Sequence, residues 1–268
     1  MCGRYASFRQ AQDLADAFAR AGYIQDVLFA GGTAAWPESY NVAPTQDIRI
    51  IVDRPLTSAA RQESFVLASG APADLSMISD EPVRQVRRAR WGLVPSWAKD
   101  TSIGARMINA RAETIAEKPA FKRALASRRC IIPADGYFEW HKGVGEGKAP
   151  KTPYFITPAD GSMFAFAGIF EFWRAPQPEG THRDEEGEWL VTASIITTAA
   201  TGELGAIHDR RPVFLTSAEY DTWLDPEVGA SEALTLLDIP AIPTQQFVVS
   251  TEVNRVVNNH AGLIVPTA

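Results

Sequence analysis

The sequence predicts an α+β fold, with a mainly antiparallel sheet and a few short helices in a single domain. Three observations lead there. Strand patterns outnumber helical ones and lack the strand–helix–strand rhythm that parallel crossovers need. No stretch has the composition of an inter-domain linker, and 268 residues suit one large domain or two ordinary ones. Hydrophobic residues make up 46% and charged residues 22%, the balance of a globule with a substantial core.

Taken in order, Gln10 to Arg20 reads as an amphipathic helix, with Leu14 and Phe18 four apart among alanines. Gly31-Gly32-Thr33 and Trp36-Pro37 break the chain before an extended, β-branched segment, Ile48 to Val52. Residues 54–81 have weak periodicity and read as a loop excursion. Lys118 to Arg128 predicts a short helix with Pro119 in its first turn and Phe121 and Leu125 on one face. Strand patterns then dominate: Cys130 to Pro133, Gly136 to Trp140, Pro153 to Thr157, Phe164 to Phe172 and Leu190 to Thr198. A second excursion spans 175–188 and carries an acidic run that reads as solvated. Thr216-Ser217-Ala218-Glu219 fits a capping box opening a helix through Trp223 and Leu224, and Gln246 to Ser250 reads as a last strand.

Several function classes are set aside by composition. No apolar run approaches the ~20 residues of a membrane span, and no basic region precedes an apolar stretch as in a signal peptide. Two cysteines, Cys2 and Cys130, are too few for a disulfide framework or a cysteine zinc site. His141, His182, His208 and His260 are scattered, so neither a metal nor another cofactor is expected. The expected setting is a reducing cytoplasm. Net charge is −6, yet residues 81–130 hold twelve Lys/Arg against four acids, a local balance of +8 suited to a polyanion.

The amino end carries distinctive chemistry. Cys2 follows Met1, and methionine is removed when the second residue is small, so the mature chain is expected to begin with cysteine. An N-terminal cysteine is a 1,2-aminothiol. It condenses with an aldehyde to an imine and closes to a thiazolidine. Reference pKa values of about 7.7–8.0 for an α-amine and about 8.5 for a thiol predict that modest tuning brings both nucleophiles near neutral pH.

Polar groups recur inside apolar or turn-rich frames in Tyr40-Asn41-Val42-Ala43-Pro44-Thr45, in Arg90-Trp91-Gly92-Leu93-Val94-Pro95-Ser96-Trp97, and in Ile108-Asn109-Ala110-Arg111-Ala112-Glu113-Thr114. They recur again in Cys130 to Trp140, which sets Glu139 in an aromatic strand, and in Thr197-Thr198-Ala199 followed by Ile207-His208-Asp209-Arg210-Arg211-Pro212. This set, in this order behind Cys2, resembles the SOS-response-associated peptidase family, sensors of abasic sites in single-stranded DNA. The resemblance runs from Cys2 to about Asn254. It implies a barrel-like sheet flanked by helices and covalent capture of the abasic-site aldehyde by the N-terminal cysteine. The match departs at Arg211, where the family's pattern places methionine; a change in packing or an added phosphate contact is expected there.

Residue chemistry agrees with what the resemblance implies. An abasic deoxyribose is mostly a closed hemiacetal, and opening it moves a proton on and off sugar oxygens. An imidazole titrating near about 6.5 suits that task, and His208 is the candidate. Glu139 can shuttle the proton of the Cys2 amine, its carboxyl pKa raised by an apolar setting. Asn109 can donate and accept at once and so hold Cys2 or the opened sugar. Arg4, Arg111 and Arg210 are the phosphate candidates. Trp91 and Trp140, with Trp97, offer faces for bases. Asn41 and Pro44 join them at the DNA through the first motif.

Two other readings compete. One is a cysteine-type autopeptidase using Cys2 as nucleophile and removing Met1; the other is a non-covalent single-strand-binding module. β-Elimination from the imine adds a lyase side reaction. Capture at one cysteine requires only a monomer.

Overall fold

The computed structural model describes residues 2–20, 27–57, 63–76, 78, 81–142, 151–176 and 189–267. In chain order these form β1 (Tyr5–Ser7), α1 (Ala11–Phe18), β2 (Leu28–Ala30), β3 (Ser39–Val42), β4 (Asp47–Arg54), β5 (Phe65–Val66), β6 (Val83–Trp91) and β7 (Asn109–Arg111). Then come α2 (Pro119–Ser127), β8 (Arg129–Ala134), β9 (Gly136–Lys142), β10 (Lys151–Pro158), β11 (Phe164–Trp173) and β12 (Leu190–Ala199). The chain continues through α3 (Gly202–Ile207), β13 (Arg210–Pro212), β14 (Phe214–Leu215), α4 (Tyr220–Leu224), α5 (Ala230–Thr235) and β15 (Thr244–Val248).

The larger sheet closes on itself. Strand β4 pairs with β6 and β8, β8 with β11, β11 with β12, and β12 returns in parallel to β6, so five strands form a barrel. A smaller antiparallel sheet, ordered β15-β10-β9-β1-β3, lies across one end. Closure removes free edges from the central strands. Alternation along the strands sorts the core into two sides. Ile48, Ile50 and Val52 of β4 join Cys130, Ile132, Phe166 and Ala193 in one cluster, whereas Ile51, Ile131, Ala165 and Ile196 face the helices in another. Cys2 and Tyr5 belong to the first cluster, so the two sheets share a core and the molecule is one domain.

The expected elements appear where the periodicity put them. Helix α1 begins after Gln10, whose capping box with Asp13 satisfies backbone donors of the first turn, and it buries Ala11, Leu14 and Phe18. Helix α2 starts at Pro119, where the missing N–H has no intrahelical partner to lose. Two expectations need correction. Thr216 does bond Glu219, through its backbone N–H at 2.8 Å and its hydroxyl at 2.6 Å, but α4 begins only at Tyr220. The excursion 54–81 is not all loop: β5 pairs antiparallel with β2, and Leu56 and Phe65 bury with Leu28 and Val83. Of the acidic excursion, residues 177–188 lie outside the described residues.

Much of the basic segment also serves the fold. Arg84 is buried and holds Asp53 through two N–H bonds, at 2.9 and 2.8 Å. Arg129 is buried against carbonyls that include Trp223 and Leu125, at 2.7 and 2.8 Å, and Arg128 pairs with Glu171. Carboxylates thus offset the charges of Arg84 and Arg128, and the Arg129 guanidinium is turned inward onto carbonyls. The exposed remainder includes Arg106, Arg111, Lys118, Lys122 and Arg123.

Candidate active site

Strand β1 lies between β9 and β3, with Tyr5 opposite both Tyr137 and Val42. This register lays the amino end beside β9 and brings Cys2 near Glu139. Cys2 is fully buried. Burial pushes its thiol pKa far up, and the negative charge of Glu139 pushes it further; the Arg4 backbone N–H, bonded to the sulfur, pulls weakly down. The expectation of a thiol tuned toward neutral pH is therefore corrected, because the dominant influence is desolvation.

Asn109 begins β7, which runs parallel to β12 with Asn109 opposite Ile195. Its Nδ2 donates to the Cys2 carbonyl at 2.8 Å, and its Oδ1 is buried with no hydrogen-bond partner among the described residues. The loop before β7 needs Gly92 and Gly104: a Cβ on either would lie 2.6 Å from the other's carbonyl oxygen, and Gly92 has φ +122°. That close crossing returns the chain from Trp91 to Asn109. Trp91 is fully buried, its indole N–H donating to Ile108 at 2.9 Å and its ring meeting Tyr5 edge-on at 5.3 Å. It has no ring face open to a base. It instead braces both β1 and the approach to Asn109, correcting its assignment to DNA.

Glu139, 3% exposed, carries a carboxyl pKa raised chiefly by burial and further by Asp209; the Trp140 N–H opposes the rise. Helix α3 packs on β9, and His208 follows α3. Burial lowers the His208 pKa, while Asp209 raises it. The Arg210 backbone N–H lies 3.0 Å from His208 Nδ1. Asp209 Oδ1 lies 2.9 Å from the same nitrogen, ready for the imidazolium. The lowered pKa favours the neutral form. Cys2, Asn109, Glu139 and His208 thus gather at one mouth of the barrel, with Asp209 as a member that the sequence reading missed. Its position beside His208 was the available signal.

The DNA candidates divide. Arg111 is exposed, and its side chain makes no hydrogen bond or ion pair among the described residues. Arg210 forms a bidentate pair with Glu113 at 2.6 and 2.9 Å and also reaches the Thr197 carbonyl. Arg4 donates to Asn41 Oδ1 at 2.7 Å and to the Val253 carbonyl at 2.9 Å, with its guanidinium 5.9 Å from the centre of the Trp140 ring. Asn41 is buried, and its Nδ2 binds the carbonyls of Val253, Arg255 and Asn258. The Trp140 indole N–H meets Asn254 Oδ1 at 2.7 Å. Asn41, Arg4 and Trp140 therefore clamp the segment 253–258, a role that the motifs alone did not reveal. Pro44 is half-buried in a turn whose Thr45, at φ 70°, bonds the Trp91 carbonyl. Trp97 is 60% exposed and offers an open face. Arg211 is buried, donating to the carbonyls of Pro212 and Ile239 at 3.0 Å each, so its departure from the family's pattern acts on packing, away from any phosphate.

Among the described residues no three His, Cys, Asp or Glu side chains form a metal cluster, and no helix is long and apolar enough to cross a membrane. A closed barrel thus brings together a cysteine, a buried carboxylate and an imidazole, residue types suited to nucleophilic and proton-transfer chemistry. Residues 1–260 match the model of the family described as SOS response associated peptidase (SRAP). The chain belongs to this family. It is 37% identical over 266 residues to abasic site processing protein YoaM of Bacillus subtilis, covering 98% of this chain and 97% of that protein. It is 34% identical over 209 residues to abasic site processing protein HMCES of Gallus gallus, covering 70% of this chain and 59% of that protein. A crystal structure of a protein from Bacteroides thetaiotaomicron aligns over 100% of both chains, with a TM-score of 0.70 and 26% identity.

Proposed function

We propose that this protein processes abasic sites in single-stranded DNA by capturing the lesion covalently on Cys2 after Met1 is removed. The observation that carries the reading is the convergence of Asn109 and Glu139 on Cys2. Asn109 bonds the Cys2 carbonyl, and the charge of Glu139 is felt at the thiol. The names of the relatives, abasic site processing proteins, support the same substrate.

Neutral His208 opens the sugar: its ring takes the proton of the C1 hydroxyl and the imidazolium returns it to the ring oxygen as the bond from C1 to that oxygen breaks, so that the C1 aldehyde forms. The neutral Cys2 amine adds to that carbon. Glu139 takes a proton from the nitrogen and returns it to the hydroxyl, which leaves as water and yields the imine. The thiol then adds to the imine carbon, its proton passing to nitrogen, and a thiazolidine closes. The net reaction joins aldehyde and aminothiol with loss of one water. Because the thiol pKa is raised, the sulfur keeps its proton until this last step, and Glu139 serves as the carrier. The buried Asn109 Oδ1 is an acceptor for the amine or the opened hydroxyl.

Arg111 supplies phosphate contacts directly. Arg4 and Arg210 contribute through N–H groups beyond those engaged by Asn41, Val253 and Glu113. Trp97 and the open part of Trp140 stack on bases, with Pro44 beside the path. Intact mass of the chain, alone and after incubation with a single-stranded oligonucleotide holding one abasic site, tests the reading. The expected result is a chain lacking Met1 that gains the oligonucleotide mass less one water. A trimmed chain without an adduct would overturn capture and favour the peptidase reading.

A further inference from the structure

The barrel has a second mouth at the opposite end. Strand β4 runs from Asp47, opposite Arg90 at the Trp91 end of β6, to Arg54, opposite Val83, a span of roughly 20 Å at about 3.3 Å per residue. Around Arg54 lies a half-open cavity of about 450 Å³ with Ile50, Val52, Phe170, Phe172 and Val191 in its walls. That volume falls in the range of small-molecule sites, about 300–1,000 Å³. None of these residues takes part in the chemistry at Cys2.

Charge in this cavity is unbalanced. Arg87 is paired with Glu63 at 3.0 Å and bonded to Gln85 Oε1 at 2.7 Å, and Arg88, also in the wall, is paired with Asp47 at 3.8 Å. Arg128 is paired with Glu171 at 2.9 Å. Arg54 has neither kind of partner: its guanidinium makes no hydrogen bond or ion pair among the described residues. It lies 5.0 Å from the centre of the Phe172 ring and 5.8 Å from that of Phe170. Cation–π contact holds the group against the aromatic wall and leaves its N–H edges without a hydrogen-bond partner among the described residues. Burial, followed by the positive charges of Arg87 and Arg128, disfavours the charged form of Arg54. An anion would relieve all three influences.

We propose that this far mouth is a binding site for a small monocarboxylate with a flat or branched apolar body. One cation with no ion-pair partner among the described residues sets the single charge. The planar fork of a guanidinium matches a carboxylate through two parallel hydrogen bonds. Ile50, Val52, Val191 and the two phenylalanines supply the apolar walls. Separation from Cys2 makes occupancy independent of covalent capture.

The probe is 2-naphthoate, with neutral 2-naphthalenemethanol as its control, followed by amide NMR shifts and calorimetry on the full chain. The expected result is shifts grouped at Val52, Phe170, Phe172 and Val191. Binding should weaken at least tenfold for 2-naphthalenemethanol and for Arg54→Met, while Arg54→Met keeps the wild-type capture of abasic DNA. Val191→Trp, which fills the cavity and retains Arg54, should abolish binding. The proposal is overturned by an absence of shifts at millimolar 2-naphthoate, by equal affinity for Arg54→Met, or by shifts that gather around Cys2 and Tyr5.

Discussion

Cys2 and Cys130 are the same residue in almost the same environment. Both are fully buried, both belong to one hydrophobic cluster, and burial pushes both thiols far above their ordinary range. Their neighbours separate them. Cys130 stands within β8 opposite Gly168, and burial alone accounts for its shift. Cys2 lies ahead of β1, with Glu139 and Arg4 acting on its sulfur and Asn109 on its carbonyl. Burial by itself makes an inert thiol. On the proposed reading, the chemistry at Cys2 comes from a chain end and a proton carrier, and burial works against a lowered thiol pKa.

The difference should be widest when each sulfur is removed. Cys2→Ala is expected to eliminate the adduct, read by intact mass, because neither ring closure nor a stable product remains. Cys2→Ser adds a check: persistence of Met1 removal without thiazolidine would separate trimming from capture.

The next largest effect belongs to the proton carrier. Glu139→Gln keeps the shape and removes the proton exchange, and general acid–base groups contribute roughly 10²–10⁴-fold. Single-turnover capture should slow by about that factor. The same substitution should raise stability at neutral pH. The folded-state pKa of Glu139 lies above its unfolded value, so the fold binds a proton more readily than the unfolded chain. The wild type consequently loses stability as pH rises from the unfolded value through the raised one. Glutamine has no such loss. Urea titrations should show the variant ahead at pH 7, with the gap closing toward pH 4. Equal slopes against pH would break the assignment of Glu139 as a desolvated carboxyl.

His208→Ala should have a smaller effect that depends on the substrate. Capture of a natural abasic site should slow about tenfold or more. An oligonucleotide carrying an open-chain aldehyde should react at the wild-type rate, because its ring needs no opening. Equal slowing on both substrates would move His208 from ring opening to a later proton transfer. Since burial lowers its pKa, the neutral imidazole persists below pH 6.5, and the acid limb of wild-type capture should lie below that value.

These roles were legible in the sequence to different depths. The strands from Cys130 to Thr198 were readable as short apolar runs rich in β-branched and aromatic residues, most of them buried on both faces, and Cys2, Asn109, Glu139 and His208 came from ordered motifs. Barrel closure came only through the family resemblance, since the parallel return of β12 onto β6 rests on Thr192 and Ala193 meeting Arg90 and Trp91, residues about a hundred positions apart. Side-chain direction was hidden as well. Trp91 and Trp97 share one motif, yet the first is a buried brace and the second is open to solvent. The basic segment misled for the same reason, because charge counts ignore partners: Arg84 and Arg129 point inward to Asp53 and to carbonyls. The short strands β1, β3 and β7, which build the site, have too few residues to show a period.

The smallest effect is expected at Cys130, and it tests whether burial and reactivity are separable. The Cys130→Ala change removes one sulfur from a packed interior, where a Cβ built on Gly168 would lie 3.0 Å from that sulfur. The neighbours have little room to collapse into the space, so urea unfolding should show a loss of about 1 kcal/mol, the centre of the range for single substitutions. Capture should be unchanged, because no group around Cys130 carries a proton to the amino end. Cys130→Val should cost more than alanine despite its apolar character, since a second branch at residue 130 has to fit the packed interior opposite Gly168. If Cys130→Ala slowed capture as strongly as Glu139→Gln, the cluster shared by the two cysteines would be setting the geometry of Cys2. The distinction between a scaffold thiol and a reacting one would then fail.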